Sequence, residues 1–170
     1  MKKTDVLVDL IVSDIEKKDV LEVACGSADF SVSASRLAGS VSSIDLDDSR
    51  LSDQVARSKI YFQIMDASKM AYSDNVFDTI VIYNAFFHIY PQWDLIEKEC
   101  KRVLKETGII YIAGSWKLDT HLMIDVFGND AIWQDGFLIV KMTKRSRKLR
   151  SEKEDKKSED LRYFSRSVQL

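Results

Sequence analysis

The chain has little of what punctuates or cross-links a small protein. One proline and six glycines in 170 residues exclude a collagen-like repeat, a proline-rich linker and a glycine-rich low-complexity tail. The two cysteines, Cys25 and Cys100, lie far apart in unlike surroundings. They offer neither a disulfide framework nor the spacing of metal ligands, so no metal site is expected. No apolar run approaches the roughly 20 residues needed to cross a bilayer. The opening Met1-Lys2-Lys3-Thr4-Asp5 leads into an amphipathic stretch that contains acids, unlike a signal peptide. No one sign of charge dominates either. A net charge of −2 gives no global field toward nucleic acid or a membrane surface. A cytoplasmic setting is expected.

What is present is an ordinary globular balance, 45% hydrophobic and 31% charged. That is enough for one core, and the length suits a single domain over residues 1–170. Strand and helix signals alternate. Leu7, Leu10, Ile11 and Ile15 keep helical spacing, which predicts an N-terminal helix within residues 1–18. Val20–Ala24 reads as a strand, Asp29–Leu37 as a helix closed by Gly39, and Val41–Ile44 as a second strand. Leu51 and Val55 mark a short helix, and Ile60–Ile64 a third strand. Val76–Tyr83 holds a fourth strand, and Pro91 opens a long helix that ends before Gly108. Ile109–Ala113 is a fifth strand, Thr120–Phe127 a last helix, and Phe137–Val140 a sixth strand. Residues 144–161 are nearly all charged or serine and read as a solvated hairpin loop. Tyr163–Leu170 alternates like a seventh, edge strand that pairs with the sixth. The sum is an α/β fold: a Rossmann-like, doubly wound, mostly parallel seven-stranded sheet with helices on both faces and an antiparallel C-terminal strand.

The chemistry concentrates at Val20-Leu21-Glu22-Val23-Ala24-Cys25-Gly26-Ser27-Ala28-Asp29. There a strand ends, the chain turns through small residues and a helix begins, so a ligand can approach the backbone closely. In a doubly wound sheet this turn borders the crevice beyond the strand ends. Asp45 ends the second strand roughly 20 residues on, where such folds set an acid against ribose hydroxyls. Asp47 and Asp48 read as capping and solvated residues. A dinucleotide would need its pyrophosphate on the helix N-terminus. The turn instead carries Glu22 and Asp29 and lacks G-x-G-x-x-G spacing. Acids repel a pyrophosphate but suit S-adenosylmethionine, which has no phosphate and carries sulfonium and ammonium charges.

Four ordered segments then resemble one family, the class I S-adenosylmethionine-dependent methyltransferases, in the type 11 or ubiquinone/menaquinone-type branch. Glu22–Ala28 is similar to its acidic, glycine-rich motif I. Met65-Asp66-Ala67-Ser68-Lys69-Met70, followed by Tyr72–Asp78, resembles its "D-A-x-x-L-P-F-x-D-x-x-F-D". Tyr83–Ile89 resembles its "x-x-x-x-L-H-H-I", and Glu99–Gly108 its "E-x-x-R-V-L-K-P-G-G". The matches run from Val20 to Ala113. The chain departs from the pattern at Ala24 and Ala28, which stand where the first and third motif glycines would be, and at Glu106-Thr107 in place of proline-glycine.

The resemblance implies roles. Glu22 would organise the methionine end of the cofactor, and the backbone of Ala24, Cys25 and Gly26 would line it. Asp45 would hold the ribose and Leu46 would pack on the adenine. Asp66 would accept from the adenine amine, with the Ala67 N–H facing the ring. Tyr83 and Asn84 would border the methyl group. Phe77-Asp78 reads as structural, with the acid capping a turn. His88 is the one candidate for acid–base catalysis, since its pKa suits taking a proton from an attacking nucleophile. His121 reads as surface, and Cys25 as a small packing residue. Trp116 and Trp133 would cover the substrate side or close the core.

The expected activity is methyl transfer to a small-molecule acceptor. The alternatives are a non-catalytic partner subunit that keeps the cofactor fold, suggested by Ala24 and Ala28, and a methyltransferase acting on RNA or protein. An NAD-type oxidoreductase is disfavoured by the loop acids. Arg145, Arg147, Lys148 and Arg150 could touch nucleic acid, but Glu152, Glu154 and Asp155 follow at once, so a solvated loop is favoured. Oligomeric state is left open.

Overall fold

The computed structural model describes residues 1–146. Its strands are β1 Asp19–Val23, β2 Ser40–Asp45, β3 Ile60–Ile64, β4 Phe77–Tyr83, β5 Leu104–Gly114, β6 Ala131–Gln134 and β7 Phe137–Thr143. They form one seven-stranded sheet in the order β3-β2-β1-β4-β5-β7-β6. β1 to β5 pair in parallel, while β7 runs antiparallel to both β5 and β6. The order reverses between β1 and β4, so the crevice at their carboxyl ends is the place where a fold of this kind binds ligands.

Alternate residues of each central strand enter different cores, as the two-residue period of a strand requires. Leu21, Val23, Ile80, Ile82, Ile110 and Ile112 face the helices α3 Phe86–Ile89, α4 Trp93–Val103 and α5 Lys117–Phe127. Val20, Val41, Val81 and Tyr111 face α1 Lys3–Leu10 and α2 Asp29–Ala34. Burial on both faces is why these strands read as nearly continuous apolar runs.

Several elements differ from expectation. The N-terminal helix stops at Leu10, and a 3-10 turn over Val12–Asp14 carries the apolar face on to Ile15. The helix expected around Leu51 and Val55 is only a 3-10 turn, Val55–Arg57. Pro91 sits in a separate 3-10 turn, Tyr90–Gln92, just ahead of α4. Gly108 lies inside β5 and does not cap α4, which ends at Val103. A side chain there would meet the Asp78 carbonyl at 2.8 Å. Phe137–Val140 belongs to the seventh strand, and the sixth is Ala131–Gln134. The final hairpin joins these two through Asp135 and Gly136, both left-handed at φ 46° and 84°. Such a two-residue turn matches the twist of its strands. The strand expected over 163–170 and the charged loop beyond residue 146 lie outside the described residues. Among the described residues no helix is long and apolar enough to cross a membrane.

Candidate cofactor site

The turn after β1 is shaped by backbone conformation. Ala24, Gly26 and Ala28 all have positive φ, at 54°, 54° and 59°. Glycine adopts this conformation freely, whereas each alanine costs about 1 kcal/mol. The alanines that replace the motif glycines therefore keep the glycine-like path. Neighbouring strands hold it in place. The Cys25 N–H donates to the Ile44 carbonyl at 3.1 Å. The Gly26 N–H donates to Asp45 Oδ2 at 2.7 Å, and the Leu46 N–H to Asp45 Oδ1 at 2.7 Å. One carboxylate thus ties the end of β2 to the turn after β1. Each oxygen keeps lone-pair capacity for a further donor. Leu46 beside it is 70% exposed, a large apolar side chain standing free at the crevice.

Beneath the turn lies Glu22, 1% exposed. Its Oε2 accepts from the Ser31 N–H at 3.0 Å and the Ser31 hydroxyl at 2.5 Å, and the Ser31 hydroxyl also meets that of Ser43 at 2.6 Å. Burial pushes the Glu22 carboxyl up to about 8. The two Ser31 bonds oppose that rise, and the nearby Asp29 and Asp45 add to it. Burial also pushes the Cys25 thiol up, against its ready ionisation.

The Met65 N–H donates to the Asp45 carbonyl at 2.8 Å and brings the end of β3 alongside. Asp66 is exposed there and Ala67 is buried. Asp66 Oδ1 accepts from the Ser68 N–H at 2.8 Å and the Ser68 hydroxyl at 2.7 Å, and these bonds hold its carboxyl below the usual range. This segment is clamped from α4. Arg102 donates to both Glu99 oxygens, to Asp74 and to the carbonyls of Met70 and Tyr72, while Glu99 accepts from the Met70 N–H at 2.7 Å. The Glu99 and Arg102 of the fourth matched segment therefore brace the loop that carries Asp66 and Ala67.

At the end of β4, Tyr83 is half-buried and packs edge-on to Phe137 at 6.2 Å. Burial raises its phenol. Asn84 is left-handed at φ 48°, which asparagine tolerates. Its Oδ1 accepts from the Ser115 N–H at 2.7 Å, so its amide ties the ends of β4 and β5 together. His88 is exposed on α3. The buried Asp119 of α5 accepts from the Phe87 N–H at 2.7 Å and so fixes the start of that short helix. Trp116 and Trp133 are exposed and do not close the core. Asp78 accepts from the Asp19 N–H at 2.9 Å and from Lys105 at 3.0 Å, so it ties strand starts together and does not cap a turn.

The expected residues fall into two groups at the carboxyl ends of the strands. Glu22, Ala24, Cys25, Gly26, Asp45, Leu46, Asp66 and Ala67 cluster at β1, β2 and β3. Tyr83, Asn84 and His88 follow β4. The sequence does not flag Ser115 and Asp119, whose partners Asn84 and Phe87 are distant in the chain, or Ser31 and Ser43, small hydroxyls on a buried face. The one local signal was a six-residue α2, Asp29–Ala34, with serines on its buried side. Among the described residues no cluster of His, Cys, Asp and Glu could hold a metal ion.

A family model described as a methyltransferase domain matches residues 21–112. The chain belongs to this family. Among solved structures, a SAM-dependent methyltransferase of Methanosarcina mazei is 27% identical, over 61% of this chain and 56% of that one, with a TM-score of 0.54. A Methanococcus maripaludis protein classed as an S-adenosyl-L-methionine-dependent methyltransferase is 16% identical, over 86% and 87%, with a TM-score of 0.66. The [4+2]-cyclase SpnF is 24% identical, over 65% and 44%, with a TM-score of 0.57. The chain spans about half the length of several of these relatives. No curated protein matches it. The family implies S-adenosylmethionine as cofactor, and the residues fit that molecule. The loop is left-handed at Ala24, Gly26 and Ala28, Asp45 retains acceptor capacity, and Glu22 is a buried carboxyl without a cation bonded to it among the described residues.

Proposed function

We propose that the chain binds S-adenosylmethionine across the ends of β1, β2 and β3 and transfers its methyl group to a small-molecule acceptor over the ends of β4 and β5. The observation that carries this reading is the left-handed Ala24–Ala28 turn, pinned by Asp45 and underlain by the buried Glu22. In this reading the Ala24–Gly26 backbone lines the cofactor and Glu22 faces its positive amino-acid end. Asp45 receives the ribose hydroxyls and Leu46 covers one face of the adenine. Asp66 and the Ala67 N–H read the edge of the base. Tyr83 and Asn84 border the transfer site. A cytoplasmic setting suits the two buried thiols.

When bound, the cofactor supplies a methyl group already activated by the sulfonium. The protein has mainly to hold nucleophile and methyl in line, and orientation alone can supply much of the rate. The brace from Asn84 to Ser115 and the cap from Asp119 to Phe87 fix the elements on the acceptor side. His88 is exposed there and is the candidate base for an acceptor that must lose a proton.

The test is thermal unfolding with S-adenosylhomocysteine, S-adenosylmethionine and NAD. A ligand at about 100 times its Kd adds roughly 2.7 kcal/mol. The expected result is a rise in melting temperature with both sulfur ligands, none with NAD, and loss of the rise in Asp45→Ala. No rise with either sulfur ligand would overturn the reading and leave a non-catalytic partner role.

A further inference from the structure

The sheet has two outer strands, β3 and β6. Neither carries a charged residue or a proline: β3 is Ile60-Tyr61-Phe62-Gln63-Ile64, and β6 is Ala131-Ile132-Trp133-Gln134. Charge and proline are the usual means of keeping a sheet edge from pairing with another strand. Among the described residues nothing pairs with the outer side of β3. Tyr61 and Ile64 stand there 69% and 62% exposed.

The ladder to β2 decides which backbone groups are open. The Met65 N–H points inward, to the Asp45 carbonyl at 2.8 Å. Backbone groups of successive strand residues face opposite sides. Gln63 and Tyr61 therefore also face β2, and Ile60, Phe62 and Ile64 face outward. Ile60 turns its N–H onto the Ser58 carbonyl at 2.9 Å. Its carbonyl stays open, together with the N–H and carbonyl of Phe62 and of Ile64.

The order of residues along this edge selects its occupant. β3 begins and ends in isoleucine, with Phe62 at its centre, so about a twofold axis at Phe62 it matches itself antiparallel. Phe62 then exchanges both N–H···O bonds with the partner's Phe62, and the Ile64 N–H reaches the partner's Ile60 carbonyl. Side chains match on both faces, Ile60 against the partner's Ile64 and Tyr61 against the partner's Gln63. Lys59 comes beside the partner's Met65, one position short of the partner's Asp66, so opposite charges meet at each end of the seam. β6 lacks this symmetry, since about Ile132 its Ala131 would face a tryptophan. A contact of β3 with β6 of another copy would be heterologous, without the closure of a twofold. We propose that the outer edge of β3 pairs with β3 of a second copy of this chain, as an antiparallel, twofold-symmetric dimer. A seam of this length is small beside the roughly 1,200–2,000 Å² of a standard interface, so the dimer is weak, with a Kd of about 10–100 µM.

The test is sedimentation velocity of the full chain from about 1 to 300 µM, which brackets that Kd. The expected result is a passage from monomer to dimer across the range. Tyr61→Lys and Ile64→Lys, both at exposed positions, should each keep the chain monomeric, with the melting temperature at the lowest concentration unchanged. Trp133→Lys, on the other edge, should dimerise like wild type. The pairing order is read by the double variant Tyr61→Cys/Gln63→Cys. These positions form the pair that exchanges no hydrogen bonds, whose side chains lie closest. Oxidised glutathione should link them into a covalent dimer that dithiothreitol separates, while Cys25 and Cys100 stay buried. A wild-type chain that is monomeric throughout would overturn the proposal and leave the edge to a different occupant. A dimer that survives both lysine variants at β3, or that only Trp133→Lys dissolves, would also overturn it. So would failure of the double variant to form the covalent dimer.

Discussion

Replacing Glu22 by glutamine should make the free protein more stable at neutral and alkaline pH while weakening its hold on the cofactor. The carboxyl titrates near 4.5 in an unfolded chain and is pushed up to about 8 in the folded one. Between those values the folded state keeps a proton that the unfolded state has lost. Stability is therefore fully present below about pH 4.5 and falls as pH rises toward 8. The slope is about 1.4 kcal/mol per pH unit, roughly 5 kcal/mol across the whole window. That is a large share of the ~5–15 kcal/mol that holds a typical domain together. Glutamine has nothing to ionise, and its amide oxygen can keep both Ser31 bonds.

Urea unfolding at pH 5.5, 6.5 and 7.5 would measure this. The remaining ionisable groups are common to both proteins and cancel to first order in the difference. The gap between Glu22→Gln and wild type should grow in favour of the variant by about 1.4 kcal/mol for each pH unit. Above pH 8, where the Glu22 carboxyl is ionised, affinity for S-adenosylhomocysteine should fall about tenfold or more in the variant, through loss of a charge-assisted contact. A gap that stays constant within about 0.5 kcal/mol over this range would refute the reasoning, since Glu22 would then be ionised in the folded protein throughout.

Three further outcomes are expected. Ala24→Gly should stabilise the free chain by up to about 1 kcal/mol, because the left-handed cost at φ 54° exceeds the extra entropy of a glycine; the denaturation midpoint reads this. Asp119→Ala should cost about 1–2 kcal/mol by leaving the Phe87 N–H without its acceptor, and Asp119→Asn should recover most of it in the same assay. Arg102→Gln removes the donors that hold the Met70 and Tyr72 carbonyls. It should open the segment before β4 by about 1 kcal/mol, seen as roughly fivefold faster amide hydrogen exchange at Met70 and Val76, with the β4 core unchanged.

Much of the sheet is legible in the sequence because its central strands are buried on both faces. Ile80, Val81 and Ile82 are all fully buried, and a short unbroken apolar run is the mark of a strand enclosed from both sides. β6 escaped because it is short and open, with Ile132 64% and Trp133 58% exposed, so no burial pattern marks it. Its real signal was Asp135-Gly136, a pair suited to two left-handed residues in a row. At the N-terminus the helical spacing was sound, since Leu7, Ile11 and Ile15 are all buried. The same apolar face simply continues through a change of helix type. Leu51 and Val55 were too few to hold a helix against the sheet, and only a 3-10 turn forms over Val55–Arg57.

In the site, legibility followed distance along the chain. Asp45 could be found because its spacing from the turn is set by one crossover. Asp119 and Ser115 could not, because each serves a residue about 30 positions away. Ser31 and Ser43 were hidden for a different reason. Small hydroxyls on a buried face pass for ordinary packing until a carboxylate is seen beneath them.

Two kinds of cost coincide at this turn. Backbone strain sits in Ala24 and Ala28, and electrostatic strain in a buried acid with two more acids nearby. A site kept only for structure would gain by relieving the second with an apolar residue at 22, whereas glycine at the turn is what the family motif itself carries. A buried acid of this sort persists where a ligand makes use of it. A cationic ligand relieves the second directly, whereas a pyrophosphate would aggravate it. The same charge pattern that argues for S-adenosylmethionine therefore predicts that NAD leaves the melting temperature where it is. The fold by itself could not decide this, since it is shared with a protein known as a cyclase. The discrimination rests on Glu22, Asp29 and Asp45.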